Sequence, residues 1–263
     1  MRKSFLLIAS LAPLALAACA TTPRPDSGFL SSYEGLEART DTLRVAMRLR
    51  ADQEGLVGVE RVYLEPTVFH PPGQVATDLD EDERLAVLNE VDRQLCYELS
   101  ERYELVADPA GEGVVRVRAA VTGVEATDRV GSTVSAAASW FIPGPIGIRP
   151  GGLGALAAEA EIIVDGEQAA ALVWARQANA VGTDTPSLSR VGDALQFAEP
   201  FADDAAAVMS AEDRSFPGVA DPDPCARFGA RTQPIGFLAR FATGLYVPEV
   251  SNGGTAPRSD EER

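Results

Sequence analysis

Three cysteines, one histidine, one lysine and 39 carboxylates are the chain's reactive groups, and their positions limit the reactions open to it. His70, the only histidine, must serve any Ser-His-Asp arrangement, and one histidine is too few for a His-rich zinc site. It precedes Pro71 and Pro72 at the end of an apolar run, which is the setting of a loop histidine. Lys3, the only lysine, lies at the very start. Schiff-base, Ser-Lys and Walker-type phosphate chemistry therefore have no lysine in the rest of the chain. No G-x-S-x-G, G-x-G-x-x-G or C-x-x-C motif occurs. The run Asp78-Leu79-Asp80-Glu81-Asp82 hints at calcium spacing. However, Glu83 stands where an EF-hand loop needs glycine, and Asn89 where it needs a bidentate Glu. These acids read instead as a helix start favoured by the dipole. A hydrolase using paired carboxylates stays open, because sequence does not give the spacing of acids in space. No catalytic residue, metal ligand or cofactor is assigned.

The cysteines carry the clearest signals. The start, MRKSFLLIASLAPLALAACA, has a basic n-region of Arg2 and Lys3, an apolar run over 5–16 and small residues before Cys19. That is the order of a secretory signal, and the run is shorter than the roughly 20 residues a membrane-spanning helix needs. Leu16-Ala17-Ala18-Cys19 looks like a bacterial lipobox, in which the cysteine is lipidated and becomes residue one. Ala20 in place of Asp favours the outer membrane, facing the periplasm. Cys96 and Cys225 remain, and an oxidising compartment predicts a disulfide between them.

Removing residues 1–18 leaves 245 of 263 residues, enough for one domain with tails. Hydrophobic residues make up 46%, so a core is available. Without Arg2 and Lys3, 21 basic residues face 39 acidic ones. Such a surface repels nucleic acid and anionic headgroups and suits a body held at a membrane by acyl chains.

The elements that must position any site follow from periodicity. Residues 20–27 read as a polar tether and 27–52 as mixed sequence. Alternation over 59–69 (VERVYLEPTVF) predicts a strand with Val62, Leu64 and Val68 on one face, and Pro66 predicts an edge or a bulge. A helix is expected over about 79–102, with Thr77 and Asp80 at capping-box spacing and a stripe of Leu85, Leu88, Val91, Leu95 and Leu99. Further strands are expected at 103–107, 114–127, 158–165 and 169–181, with Asp165-Gly166 as a hairpin turn. Pro186-Ser187 opens a second helix, which Pro200 should kink or split before 202–209. Residues 234–246 read as a short amphipathic helix and 252–263 as a disordered end. The expected organisation is a signal at 1–18, an anchor and tether at 19–55, a core domain at 56–211 and an extension at 212–263. The fold class is α+β, a largely antiparallel sheet with helices packed on one face.

Three stretches together resemble a family of bacterial lipoproteins called domain of unknown function 3313. They are SGFLSSYEGL at 27–36, RYELVADPAGEGVVRVRAAVTGVEA at 102–126, and AAEAEIIVDGEQAAALVWARQA at 157–178. The likeness spans about 27–209. It implies an envelope lipoprotein with an α+β body and brings no functional residues.

One segment stands apart. Residues 130–158 carry a single charge, Arg149, in a chain that is 24% charged. Trp140, Phe141, Ile142, Ile146 and Ile148 sit there among prolines that exclude a continuous helix. Either these residues fold onto the core or they form an apolar contact patch for a partner or bilayer. The expectation is an outer-membrane lipoprotein that binds or scaffolds another envelope protein without catalysis, held to the membrane by its N-terminal lipid. The alternatives are the paired-carboxylate hydrolase and a subunit of an oligomeric outer-membrane pore.

Overall fold

The structure is a computed structural model that describes residues 24–39, 44–127, 154–178, 185–215 and 218–231, together with 21, 147–148, 181–182, 242, 245–246 and 248. Strands β1 (Glu37–Ala38), β2 (Val45–Ala51), β3 (Arg61–Leu64), β4 (Val68–Phe69), β5 (Glu104–Leu105), β6 (Val114–Glu125), β8 (Ala155–Val164) and β9 (Glu167–Gln177) form one eight-stranded sheet. Its order is β1-β2-β9-β8-β6-β3-β5, with β4 also paired to β6. Two short strands, β7 (Gly147–Ile148) and β10 (Val181–Gly182), pair separately. The helices are α1 (Gln53–Leu56), α2 (Glu81–Ser100) and α3 (Gly192–Val208).

The sheet is mixed. From β1 to β6 neighbours run antiparallel, as the alternating patterns predict. Strands β3 and β4 run parallel to β6, and β5 runs parallel to β3, because α2 returns the chain as a β-α-β crossover. Asp165 and Gly166 both adopt positive φ, 51° and 84°, the conformation of a type I′ turn that matches the twist of the flanking strands β8 and β9.

Along β8 the side chains alternate between two environments. Leu156, Ala158, Ala160 and Ile162 join the main core with Leu172 and Trp174 of β9 and Val115, Val117, Ala119 and Val121 of β6. Val87, Val91, Leu95 and Leu99 of α2 belong to that core, as do Phe197, Ala198, Phe201 and Ala202 of α3. The stripe of α2 thus runs through Val87, whereas Leu85 and Leu88 are only half-buried. Its cap also differs from the expected one. Asp80 is the N-cap and Glu83 completes the box, three residues beyond the Thr77–Asp80 reading. Both pairs have the correct spacing, and the chain stays in a turn through Leu79, whose N–H donates to Ala76.

Three further expectations are corrected. The run 59–69 breaks at Glu65-Pro66-Thr67, so Phe69 is buried and Val68 is 46% exposed. Proline cannot continue the ladder, and the break shifts the alternation by one residue. Helix α3 is not split at Pro200, because Phe197, Ala198, Phe201 and Ala202 flank it in the core and tertiary burial outweighs one lost hydrogen bond. The boundary at 55 also moves. Strand β2 pairs with β9 from Val45↔Arg176 to Ala51↔Ala170, deep within the expected tether. Its sequence, VAMRLRA, hides the strand because Arg48 and Arg50 occupy the second face, where they contact Asp26 and Gln168.

The expected extension is attached to the body as well. Cys225 is joined to Cys96 of α2, with Cα atoms 5.9 Å apart. Arg231 donates to the carbonyl of Tyr97 at 3.2 Å, to Ser100 Oγ at 2.7 Å and to both oxygens of Asp223. The readings over 234–246 and 252–263 fall outside the described residues apart from isolated positions.

Between α2 and α3 the charges are unbalanced. Buried Glu90 pairs with Arg93 at 2.6 Å and accepts a hydrogen bond from Gln94 at 2.8 Å. Half-buried Glu98 faces Asp203 of α3; burial first, then repulsion from Asp203 and Glu101, lifts its carboxyl above the usual range.

Two outcomes follow. The disulfide spans a sequence separation of 129, so Cys225→Ser should lower the unfolding free energy by about 4–5 kcal/mol in the entropic account, read from the urea midpoint. Glu98→Gln should raise stability at pH 7 by roughly 0.5 kcal/mol, a value discounted for solvent exposure. A carboxyl whose folded pKa is raised does no harm below the ordinary carboxylate range and becomes unfavourable as pH climbs through the raised value. The gain should therefore vanish near pH 4, which urea titrations at the two pH values will show.

Candidate functional site

The second face of β8 carries Glu159 and Glu161, both fully buried. Period-two alternation places them side by side on one face, opposite the core residues Ala160 and Ile162. A carboxylate in that position demands donors for its lone pairs. The segment 27–33, SGFLSSY, supplies most of them. Ser27 donates its N–H at 3.0 Å to Oε1 of Glu159 and its hydroxyl at 2.7 Å to Oε2. Tyr33 donates its phenol to Oε2 of Glu159 at 2.5 Å. Ser31 repeats the pattern on Glu161, through its N–H at 2.8 Å and its hydroxyl at 2.9 Å. Arg118 Nε and Gln168 Nε2, each at 2.5 Å, complete Glu161 from the neighbouring strands β6 and β9.

Apolar contacts support this strap. Leu30 is buried against Ala171 and Val173, and Phe29, Tyr33 and Leu36 pack around them. The Arg118 guanidinium lies 4.9 Å above the Phe29 ring and donates to the Phe29 carbonyl at 2.9 Å. Tyr33 Oη accepts from the N–H groups of Gly28 and Leu30, at 2.9 and 3.2 Å. Burial, and then the hydrogen bond to Glu159, raises the Tyr33 pKa, so the phenol remains a donor across the physiological range. His70 stacks at a tilt, 5.7 Å from the Phe29 ring, and so borders the strap.

All four oxygens of the glutamate pair are engaged, and the strap covers them. The paired-carboxylate reading finds its pair here, in a setting that fixes a chain segment and leaves no oxygen open to a substrate. Among the described residues, no three His, Cys, Asp or Glu side chains are arranged to hold a metal ion. Two further acids, buried Asp193 and half-buried Asp204, are also committed. Asp193 accepts from Thr127 Oγ1 at 3.0 Å and the Gly154 N–H at 2.9 Å, and Asp204 accepts from Trp174 Nε1 at 2.8 Å. A groove of about 370 Å³ runs beside Cys96, lined by Tyr63, Pro66, Leu105 and Arg227, with no acid on its walls.

Trp140, Phe141, Ile142 and Ile146 of the apolar segment lie outside the described residues, as does Cys19. Ile148 is described by its backbone alone, opposite Val181. Sequence reasoning missed the clamp. Its trace is the pair of glutamates at alternate positions of an otherwise apolar strand, AAEAEII, joined to a distant S-x-x-x-S-x-Y.

These features describe a mixed eight-stranded sheet with three helices, compatible with the α+β class, whose N-terminal strap is locked onto the sheet by buried carboxylates. The chain belongs to the family described as protein of unknown function DUF3313, whose family model matches residues 25–205, from the strap into α3. No curated protein matches. Among solved structures, a PelC dodecamer from Paraburkholderia phytofirmans is similar at 9% identity and a TM-score of 0.37, covering 64% of this chain and 99% of that one. A single-substitution variant of the same dodecamer gives 8% identity and a TM-score of 0.36 over the same shares. Likeness at that level supports no argument about this chain.

Glu159→Gln replaces an acceptor with an amide whose N–H₂ opposes the donors of Ser27 and Tyr33. Loss of bonds to a charged group should cost about 2–4 kcal/mol. Limited trypsin digestion should then cut after Arg39 before the domain unfolds, whereas the wild-type strap should resist.

Proposed function

We propose that this chain is a lipid-anchored outer-membrane protein facing the periplasm, which binds or scaffolds another envelope component without catalysing a reaction. The observation that carries the reading is the docking of the strap so soon after Cys19. Thr21 already donates its hydroxyl to the Arg44 carbonyl at 2.6 Å, and Ser27 begins the glutamate clamp. A flexible stalk would let the body drift from its anchor; a pinned strap makes membrane attachment and domain position one property. The sequence before Cys19, the acidic lysine-free body and the full occupation of the glutamate pair agree with this reading. Under it, the disulfide between Cys96 and Cys225 belongs to an oxidising compartment. No helix among the described residues is long and apolar enough to cross a membrane.

The mature protein should begin at Cys19, carry acyl mass and sediment with the outer membrane on a density gradient. Cys19→Ser should accumulate as unprocessed precursor. Mature wild-type protein without acyl mass, or recovery chiefly with the inner membrane, would contradict the proposal.

A further inference from the structure

We infer that the domain stands on the bilayer with its strands roughly upright, the end bearing Glu125, Ala155 and Gln177 toward lipid and the Asp165-Gly166 hairpin pointing away. This rests on the lipid anchor proposed above. The argument begins with the sheet register. Glu125 of β6 lies opposite Ala155 of β8, Ala155 opposite Gln177 of β9, and Val45 of β2 opposite Arg176 of β9. One end of the sheet therefore gathers the end of β6, the start of β8, the end of β9 and the start of β2.

The strap begins at that same end. Thr21 Oγ1 bonds to the Arg44 carbonyl and accepts from the Gln177 N–H at 3.4 Å. Arg24 pairs with Glu125, and Asp26 pairs with Arg48 of β2. Thr21, Arg24, Glu125, Ala155 and Gln177 line one shallow groove of about 320 Å³. From Thr21 to Cys19 is two residues, a reach of no more than about 7 Å even fully extended. If lipid holds Cys19 at the interface, this end of the sheet lies beside it. The other end of the ten-residue strand β8 is roughly 30 Å away at the usual rise.

Two further facts agree with this placement. Thr127 and Gly154, which flank segment 128–153, are tied together at the lipid-proximal end through Asp193, and Gly154 accepts from the Ala178 N–H at 2.9 Å. The sequence between them, from Val130 onward, carries the single charge Arg149. The two residues that flank this charge-poor sequence, Thr127 and Gly154, thus both lie at the end that approaches lipid. Glu125 at the lipid-proximal end is paired with Arg24, whereas the exposed carboxylates of Glu167, Asp165 and Glu112 sit at or near the far end, away from anionic headgroups.

The test uses the acylated protein in vesicles of phosphatidylethanolamine and phosphatidylglycerol doped with a headgroup-nitroxide lipid. A fluorophore is placed on Gln177→Cys or on Glu167→Cys, at the two ends of β9; both positions are exposed, and the native disulfide stays closed. Mass spectrometry first confirms the acyl group. Quenching at position 177 should be several-fold greater than at 167. Acylated protein with equal quenching, or stronger quenching at 167, overturns the orientation and leaves the anchor standing. Protein that carries no acyl group overturns the anchor, and the orientation with it.

Discussion

Burying a carboxylate in the middle of a sheet is unfavourable by several kcal/mol unless its lone pairs meet donors, and β8 imposes that condition twice on one face, at Glu159 and Glu161. The two faces of the sheet therefore solve different problems. The face shared with α2 and α3 excludes water with Leu156, Ile162, Leu172 and Trp174. The other face has little apolar area of its own and is closed by a seven-residue strap that brings hydroxyls, backbone N–H groups and Leu30. Without the strap, two charges and the apolar positions Ala171 and Val173 would stand uncovered. The strap and the sheet are thus one cooperative unit, although more than a hundred residues separate them in sequence.

Under the proposed anchoring, that dependence ties fold to attachment. The clamp begins eight residues after Cys19, and Thr21 is fixed still closer to it. Under the proposed lipid anchor, any load on Cys19 would reach the sheet through charge-assisted bonds, which are about twice as strong as neutral ones. At the opposite end of the chain, the 225–231 stretch is held on α2 by the disulfide and by Arg231, so both flanks of the domain are stapled to it. A small acidic body with no lysine among its described residues gains rigidity this way from a few directed contacts rather than from a larger core.

The sequence made the regular elements readable where one period dominated. The α2 stripe through Val91, Leu95 and Leu99, the alternation of β6 and the Asp165-Gly166 turn are each local patterns with one physical solution. Legibility failed where tertiary partners decide. VAMRLRA reads as mixed because its arginines satisfy neighbours across the sheet. Pro200 reads as a break because burial of Phe197 and Phe201 is not visible locally. Parallel pairing of β3 and β5 follows from the crossover, not from either strand. The glutamate clamp was least legible of all: Ser27, Ser31 and Tyr33 are ordinary surface residues until the sheet brings Glu159 and Glu161 beneath them. Only the anomaly of two charges in an apolar strand pointed to it.

The direct test of this account is native-state hydrogen exchange at the Ser27 and Ser31 amides, whose N–H groups donate to the buried carboxylates. If the strap is part of the cooperative unit, both should exchange with opening free energies close to those of the central amides of β8 and β9. Exchange of Ser27 and Ser31 at nearly unprotected rates, while β8 and β9 stay protected, would show that the strap opens independently and that the clamp does not hold the fold together.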